Sequence, residues 1–553
     1  MIDLLVLASL LSIVLYLIYS LTTRKFSYWK KKNVPYAKPL PVLGNYGKFI
    51  LLQEYLGKVT QKLCQKFIDQ PYFGAFYGTE PVLVLNSPEV VKQVMTKDFY
   101  YFSGREATNH AASEVVTQNL FFSGGDRWKV VRQNLTPLFT SLKMKNMYHL
   151  IEKCGIAFED MLDYEVRMSN VMEVRHMSAR YTMDCICSCA FGVESNTMTP
   201  DTNNPFLLIA EDLFNFDNVR GFKLIARSIW PSIFYRMGFK IFPSSIDGFF
   251  SKLLKEVFQS RDYKPSPRND FVDLVLTLKQ EDYITADSLS NAKTGENKKI
   301  QLKVDDDLLT AQCIVFFAAG LDTSATTMTL TLFELAKHPE ELQRAAQEVD
   351  EFLQRHGNKL NYECVNELPY LEACMYETLR KYPVLGNLAR EVMDDYVLPT
   401  GLKLDVGVRV HIPVYHLHHN PEFFPEPLKY KPERFLPENK DDVVPYSFLP
   451  FGTGPRLCIG WLRDPLASNR MIPTNILMIV QLESLMRYSQ SIFKGSNGQE
   501  ATKTLYVVLD KKTTVFYGSI GISYELIIMP FYYLLADAEC RGSYYFVTLV
   551  FIK

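Results

Sequence analysis

The sequence has little cysteine for its length and no excess of charge of either sign. Ten cysteines in 553 residues are too few for a dense disulfide framework, so we expect free thiols in a reducing compartment. Lysine and arginine number 60 against 61 aspartates and glutamates, a balance that argues against a nucleic-acid-binding protein. A chain that is 47% hydrophobic and 22% charged is neither disordered nor a polytopic membrane protein.

Zinc-type spacing of cysteines and internal repeats are also lacking. Cys185, Cys187 and Cys189 alternate along the chain. On a helix the first and third share a face while the second points away, so we interpret them as small buried hydrophobes and not as metal ligands. No repeat of 20–50 residues suggests a solenoid or propeller.

Long apolar runs are scarce, and the first lies at the N-terminus. Residues 2–21 are almost all apolar and would span about 30 Å as a helix, the thickness of a bilayer core. Five basic residues between 24 and 32 follow and place the downstream chain on the cytosolic side. The pattern predicts a signal anchor at 1–22 and a basic, proline-rich spacer at 23–45, with a cleaved signal peptide as the alternative.

Beyond the spacer, the pattern predicts one large domain over residues 46–460. Most of it has helical periodicity, while 81–85 and 402–412 are typical of strands. The polar segment 280–300 is interpreted as a surface loop. The fold class predicted is therefore mainly α with a minor β portion.

A second apolar segment, residues 305–338, predicts a helix about 45 Å long. Such a helix is either a membrane span or the central strut of a large domain. Asp322 lies near its middle and would cost about 2.5–3.5 kcal/mol in lipid. We therefore favour the strut and interpret Asp322 as a buried acid with a chemical task.

The segment 448–460 (FLPFGTGPRLCIG) carries the strongest chemical signal. Its glycines and Pro455 favour a tight, preformed turn that presents the thiolate of Cys458. A thiolate held among backbone N–H groups is suited to ligating haem iron. Arg456 would reach a carboxylate of the same group.

The pattern Phe451-x-x-Gly454-x-Arg456-x-Cys458-x-Gly460 resembles the haem-binding signature of the cytochrome P450 superfamily, the haem-thiolate monooxygenases. The resemblance implies that haem b lies between a long central helix and the cysteine loop. It makes Cys458 the axial ligand of the iron, and Phe451, Arg456 and Gly460 haem-binding residues.

Two further motifs appear in the order that the family has them. Glu377-Thr378-Leu379-Arg380 resembles the Glu-x-x-Arg motif, and Pro432-Glu433-Arg434-Phe435 resembles the meander. In the family Glu377, Arg380 and Arg434 would form a buried ionic lock, so we expect a structural role for them. The histidines before the meander are also interpreted as structural; they are His416, His418 and His419.

Other cofactor-binding residues follow from the same resemblance. Trp128-x-x-x-Arg132 resembles a helix whose indole and guanidinium donate to the haem propionates, and its spacing puts both on one face. Arg390 lies where the family often supplies another propionate donor. An exposed helical pair is the plain alternative for Trp128 and Arg132.

Residues 319–324 (AGLDTS) resemble the family's oxygen-activation motif. Gly320 would let a small ligand approach the helix, and Asp322 and Thr323 would be the catalytic residues that deliver protons. The alternative is a threonine-rich buried helix whose hydroxyls bond the preceding turn, which explains the later threonines but not Asp322.

The resemblance also implies partners and a location. A member of this kind receives electrons from NADPH–cytochrome reductase, with cytochrome b5 as a further donor, and oxidises a small lipophilic substrate with O2 at the endoplasmic reticulum membrane of the microsomal fraction. Lys129, Lys143 and Lys145 would steer the reductase. Segments 122–128 and 139–141 are similar to insect microsomal members that oxidise plant toxins, insecticides and hormones.

The departure from the family follows Gly460. Pro465 falls where the family continues a helix, and it would break that helix at a cost of about 3 kcal/mol. Neither the terminal strands nor the substrate-lining turn of the family is recognisable in residues 461–553. An incorrectly predicted C-terminus is one explanation; a catalytically impaired haem- or ligand-binding relative is the other. A haem-thiolate isomerase or dehydratase is disfavoured by Asp322 and Thr323.

Overall fold

Helices dominate the chain, and its strands are short. The computed structural model describes residues 2–168, 171–200, 203–214, 217–268, 270–359, 361–460, 505–509 and 547–551. The α-helices are α1 (Ile2–Thr23), α2 (Tyr28–Lys31), α3 (Gly47–Ile50), α4 (Leu56–Lys66), α5 (Pro88–Lys92), α6 (Gly125–Leu135), α7 (Ser141–Met168), α8 (Val174–Ile186), α9 (Pro205–Phe214), α10 (Asn218–Ile229), α11 (Pro231–Arg236), α12 (Ser244–Ser260), α13 (Phe271–Gln280), α14 (Asn291–Thr294), α15 (Asp306–Lys337), α16 (Pro339–Arg355), α17 (Cys364–Glu367), α18 (Pro369–Lys381) and α19 (Val414–His418). The strands are β1 (Tyr72–Tyr77), β2 (Glu80–Leu85), β3 (Val171–Glu173), β4 (Tyr283–Asp287), β5 (Lys299–Lys303), β6 (Leu388–Glu391), β7 (Tyr396–Val397), β8 (Lys403–Leu404), β9 (Arg409–Ile412), β10 (Leu505–Leu509) and β11 (Val547–Phe551).

The principal sheet has the strand order β1-β2-β9-β6. Strands β1 and β2 form an antiparallel hairpin, β2 pairs with β9 in parallel, and β9 pairs with β6 antiparallel. Both segments predicted as strands are therefore confirmed, the second as β8 and β9. Trp29 is fully buried and its indole N–H donates to the carbonyl of Ala75 at 2.9 Å, so the chain before the sheet lies against it.

The segment predicted as a surface loop contains a β-hairpin, which corrects that interpretation. Strands β4 and β5 pair antiparallel, with α14 between them. In β4 every second residue is buried, Ile284 and Ala286 among them, so the period-two signal was present but short. The hairpin lies on α6, where Asn134 donates to the carbonyl of Thr285 at 3.2 Å.

Terminal strands are also present, although the sequence did not reveal them. β10 and β11 pair antiparallel, and β11 pairs with β3 of the middle of the chain. Both segments (LYVVL and VTLVF) are rich in β-branched residues, which is the signal that was missed. Pro465 and the other residues quoted after Gly460 lie outside the described residues.

Among the described residues, two helices are long and apolar enough to cross a membrane. Helix α1 is exposed along Val6–Thr23, whereas about two-thirds of α15 is buried. The interpretation of α15 as a central strut is therefore confirmed. Asp305 caps its first turn by accepting from the backbone N–H of Leu308 at 2.8 Å, next to Asp306 and Asp307, where a helix favours negative charge.

Helix α18 holds the ionic lock. Arg380 is fully buried and donates to both carboxylate oxygens of Glu377, at 2.7 and 2.8 Å. It also donates to the carbonyl of His418 at 2.9 Å, and the Nε of Arg434 lies 3.6 Å from Glu377. All three residues predicted to form the lock are brought together. In the described part of the chain His418 bonds to backbone groups: its Nε2 accepts from the N–H of Leu449 at 2.8 Å, and its Nδ1 lies 3.2 Å from the carbonyl of Arg380.

We expect Arg380→Leu to destabilise the protein by about 3–5 kcal/mol, because it leaves the buried Glu377 carboxylate without its cation. Urea unfolding followed by the haem absorbance measures the change. The matched control is Lys252→Ala, which removes an exposed ion pair with Glu256 at 3.8 Å and should cost less than about 1 kcal/mol. Equal effects of the two variants would contradict the lock.

Candidate haem and oxygen-activation site

The cysteine loop is a preformed turn. Gly452 and Gly454 have φ of +75° and +70°, and a Cβ at Gly454 would lie 2.0 Å from the carbonyl oxygen of Met95. Only glycine therefore fits this position. The N–H of Cys458 donates to the carbonyl of Phe451 at 3.0 Å, which closes the loop and leaves Cys458 facing a cavity.

Helix α6 presents two of the predicted donors to the same cavity. Trp128 and Arg132 are one turn apart, and both line the cavity together with Cys458. Trp128 is buried, and its ring lies 4.8 Å from the guanidinium carbon of Arg456. The structure therefore favours the inward-facing pair over the exposed one.

Four arginines converge on this cavity from four different segments. They are Arg105, Arg132, Arg390 and Arg456. Arg456 donates to the carbonyl of Ser103 at 3.0 Å and to that of Ser123, while Arg390 donates to Ala389 at 2.8 Å. Within the described residues, none of the four forms an ion pair with a carboxylate.

Burial lowers the pKa of all four arginines, and repulsion from neighbouring arginines adds to this effect at Arg105 and Arg456. Burial, strengthened by the nearby charge of Arg390, lowers the pKa of Arg105 to about 9. Burial lowers the pKa of Arg390 to about 10, and burial with the three neighbouring arginines lowers that of Arg456 further. The site therefore holds positive charge that the described residues do not balance.

Haem fits this donor set. Atoms Nη1 of Arg105 and Nε of Arg390 are buried without a hydrogen-bond partner in the described chain, and two propionates are anions that would satisfy them. Cys458 would supply a thiolate to iron from the loop. Trp128 and Phe451 line the same cavity, where their aromatic rings would contact the haem macrocycle.

Across the cavity, α15 contributes Ala319, Gly320 and Thr323. The hydroxyl of Thr323 donates to the carbonyl of Ala319 at 2.6 Å. Thr327, Thr329 and Thr331 bond the preceding turn in the same way. These four threonines therefore show the bonding predicted for a threonine-rich helix, and Thr323 and Thr327 also line the cavity.

Gly320 has a packing role as well as a place in the cavity wall. A Cβ at this position would lie 2.7 Å from Cδ1 of Ile186 on α8. The glycine therefore permits the close approach of α15 and α8. Helix α15 is helical throughout Asp306–Lys337. Gly460 also lines the cavity, and a Cβ there would stand at an ordinary 3.8 Å from Cys458 Sγ.

Asp322 is buried, as predicted, and it is ion-paired. Its Oδ1 accepts from Nη2 of Arg175 on α8 at 2.7 Å. The pair joins α15 to α8 at the position directly before Thr323. Arg175 was not singled out from the sequence, because the two residues are 147 positions apart.

The comparisons with known proteins agree with this geometry. The family model described as Cytochrome P450 matches residues 34–471. The chain is 36% identical over 461 residues to "Probable cytochrome P450 6a14" of Drosophila melanogaster, covering 82% of this chain and 89% of that protein. It is 34% identical over 476 residues to "Cytochrome P450 6B2" of Helicoverpa armigera, covering 86% and 92%.

The chain therefore belongs to the cytochrome P450 family, a class of haem-thiolate monooxygenases. The predicted family, the mainly helical fold and the haem cofactor with iron and a cysteine thiolate are confirmed. The family acts as an oxidoreductase with O2, a redox partner and lipophilic substrates.

Arg105 is the cavity-lining arginine that sequence reasoning missed. It stands in a segment without regular spacing, between Gly104 and Glu106, so no motif marks it. Its guanidinium carbon lies 3.8 Å from the ring centre of Phe121, which also lines the cavity. The residue becomes visible only when the loop before α6 is folded over the site.

We expect Arg105→Gln to weaken haem retention, because it removes one charge-assisted hydrogen bond to a propionate, worth about 1.5–3 kcal/mol. Transfer of haem to apomyoglobin should become about tenfold faster or more. Arg236→Gln, at an exposed position of α11, is the control and should leave the rate unchanged. Identical transfer rates for both variants would remove Arg105 from the haem site.

Proposed function

We propose that this protein is a membrane-anchored monooxygenase that inserts one atom of O2 into lipophilic molecules, such as plant toxins, insecticides or endogenous lipids and hormones. This is an activity of the unspecific monooxygenase type. One observation carries the proposal: Cys458 of the cysteine loop and Thr323 of α15 line a single cavity, which four arginines also line.

The wall of the cavity supports a lipophilic substrate. The cavity has a volume of about 360 Å³ in total, including the part lined by the arginines and Cys458. Many lining side chains are apolar, among them Leu120, Phe121, Val315, Phe316, Val384 and Leu388. The lining arginines are grouped with Trp128 and the cysteine loop, so the wall that Leu120 and Val315 form is suited to apolar groups.

When bound, haem with a thiolate ligand supplies the activation of dioxygen and the oxidation of the substrate. The chain's own task is to orient that group and to handle protons. Cys458 holds the iron side, and the arginines fix the carboxylate edge. The hydroxyl of Thr323 gives up its bond to the Ala319 carbonyl when it donates into the cavity.

Asp322 is the acid from which the Thr323 hydroxyl would be resupplied with a proton. Its carboxylate is held by Arg175 at 2.7 Å. On turning away from Arg175, this carboxylate would take up a proton from water and pass it to the Thr323 hydroxyl as that hydroxyl donates its own proton into the cavity. A buried acid beside a hydroxyl on a rigid helix suits such a transfer.

Membrane attachment through α1 at the endoplasmic reticulum agrees with the exposure of that helix. The basic residues after it favour a cytosolic position for the haem domain. NADPH–cytochrome reductase is the electron donor that we propose, with cytochrome b5 as a second one. Lys129 and Lys145 lie on α6 and α7, and Lys145 is largely exposed, as electrostatic steering requires.

The alternative of a catalytically impaired relative has no support in the haem site of the described residues. It depended on the residues after Gly460, whereas the family match continues to residue 471. A band typical of the thiolate-ligated, carbon-monoxide-bound form, with no product from any lipophilic probe, would nevertheless favour it.

The test is turnover of the full chain in lipid vesicles with NADPH–cytochrome reductase and a panel of lipophilic probes. We expect NADPH oxidation and product in a ratio near one for the preferred probe. Thr323→Ala should keep oxygen consumption but lower product per NADPH about tenfold or more, because the hydroxyl that places the proton is gone.

Thr329→Ala is the matched control for this measurement. Thr329 lies on the same helix and its hydroxyl bonds the Ala325 carbonyl at 2.7 Å, but it is outside the cavity lining. The amount of product per NADPH in Thr329→Ala should equal that of the unaltered protein. Unchanged coupling in Thr323→Ala would contradict the proton-handling role, and absence of product from the unaltered chain would contradict the proposed activity.

A further inference from the structure

Gln312 is a buried amide on α15 that the oxygen-activation motif does not include. It is 3% exposed and precedes Ala319 by seven residues, or two turns. The two residues therefore lie on the same stripe of the helix, about 10 Å apart along its axis. Val315 and Phe316, between them, line the cavity.

The amide of Gln312 bridges α15 to the loop that precedes α6. Its Oε1 accepts from the backbone N–H of Leu120 at 2.9 Å. Its Nε2 donates to the carbonyl of Leu308 on its own helix at 3.0 Å and to the carbonyl of Gln118 at 3.5 Å. The amide oxygen of Gln312 thus bonds to the loop, and its amide nitrogen bonds to both the loop and the helix.

The loop that Gln312 holds forms part of the cavity wall. Leu120 and Phe121 both line the cavity. Asn119 makes the turn rigid, since its Oδ1 accepts from the N–H groups of Phe121 and Phe122 at 2.8 and 3.1 Å. A displacement at Leu120 would therefore move Phe121 with it.

The same loop also reaches the haem-binding arginines. Phe121 packs on Arg105 at 3.8 Å, and the carbonyl of Ser123 accepts from Arg456. Arg456 thus holds the loop at Ser123, and Gln312 holds it at Leu120. The amide sets the distance between the wall at Leu120 and the helix that carries Thr323.

We propose that Gln312 is a positioning residue, which fixes the wall formed by Leu120 and Phe121 against α15 and so determines which substrates fit over the iron. The inference rests on the proposed function in treating this cavity as the substrate cavity. Gln312 touches neither cofactor nor substrate itself. It acts through the backbone of Leu120.

The test compares two probes that bind haem iron through a ring nitrogen and differ in size. Imidazole is small enough to bind without contact to the wall, whereas 4-phenylimidazole places its phenyl ring against it. In Gln312→Leu, which loses all three hydrogen bonds at similar volume, we expect the Kd of 4-phenylimidazole to rise at least fivefold. The Kd of imidazole should stay within twofold, and the thiolate absorption band should be retained.

A second readout is hydrogen exchange of the full-length protein in lipid vesicles. The Leu120 amide loses its acceptor in Gln312→Leu, so exchange of the peptide around residues 116–122 should become about tenfold faster. Gln312→Glu keeps an acceptor oxygen and should restore most of the protection and of the 4-phenylimidazole affinity. A variant that merely destabilised the fold would weaken both probes alike.

Thr331→Val is the matched control, because Thr331 is fully buried on α15 and its hydroxyl bonds only within that helix in the described contacts, to the Thr327 carbonyl at 2.8 Å. Thr331→Val should change the Kd of neither imidazole nor 4-phenylimidazole. If Gln312→Leu does not hold haem, Gln312→Asn, whose shorter side chain cannot reach Leu120, replaces it with the same expected result. The proposal would be overturned if Gln312→Leu left both the 4-phenylimidazole affinity and the hydrogen exchange unchanged, or if Thr331→Val had equal effects. Failure of turnover alone would bear on the proposed function and not on Gln312.

Discussion

Uncompensated positive charge is the constraint on which the site depends. Arg105, Arg132, Arg390 and Arg456 line one cavity, and burial lowers the pKa of each. Holding several cations together away from water costs free energy unless an anion joins them. A group with two carboxylates and an iron atom would meet that need, because the arginines would bind the carboxylates while Cys458 would bind the metal. The cofactor would thus balance the charge that the folded chain leaves uncompensated.

The rest of the fold keeps the two sides of this cavity in register. Helix α15 carries Thr323 on one side, and the cysteine loop carries Cys458 on the other. Glu377 and Arg380 form a buried ion pair within α18, and Arg380 also donates to the backbone carbonyl of His418, which joins this helix to the chain before the meander. The partly buried pair of Asp322 and Arg175 joins α15 to α8. Because burying an ion pair gains little net stability, the value of these contacts is to specify how the segments are arranged.

Much of the site could be predicted from the sequence, because its chemistry is concentrated in short segments. The loop around Cys458 and the spacing of Trp128 and Arg132 each contain their geometry within a few residues. Arg105, Arg175 and Gln312 could not be found in this way, since their partners lie far along the chain and only folding brings them together. The β4–β5 hairpin and strands β10 and β11 were missed because each strand is only five residues long and gives a weak periodic signal.

The most direct measurement of the central claim is the affinity of the haem-free full chain for haem and for haem dimethyl ester. The ester keeps the iron and the macrocycle but has no carboxylate charge. If the arginine cluster binds the propionates, the ester should bind about 100-fold more weakly, as the loss of two charge-assisted hydrogen bonds implies, and Arg105→Gln should narrow the difference. Equal affinity for the two forms would contradict the account.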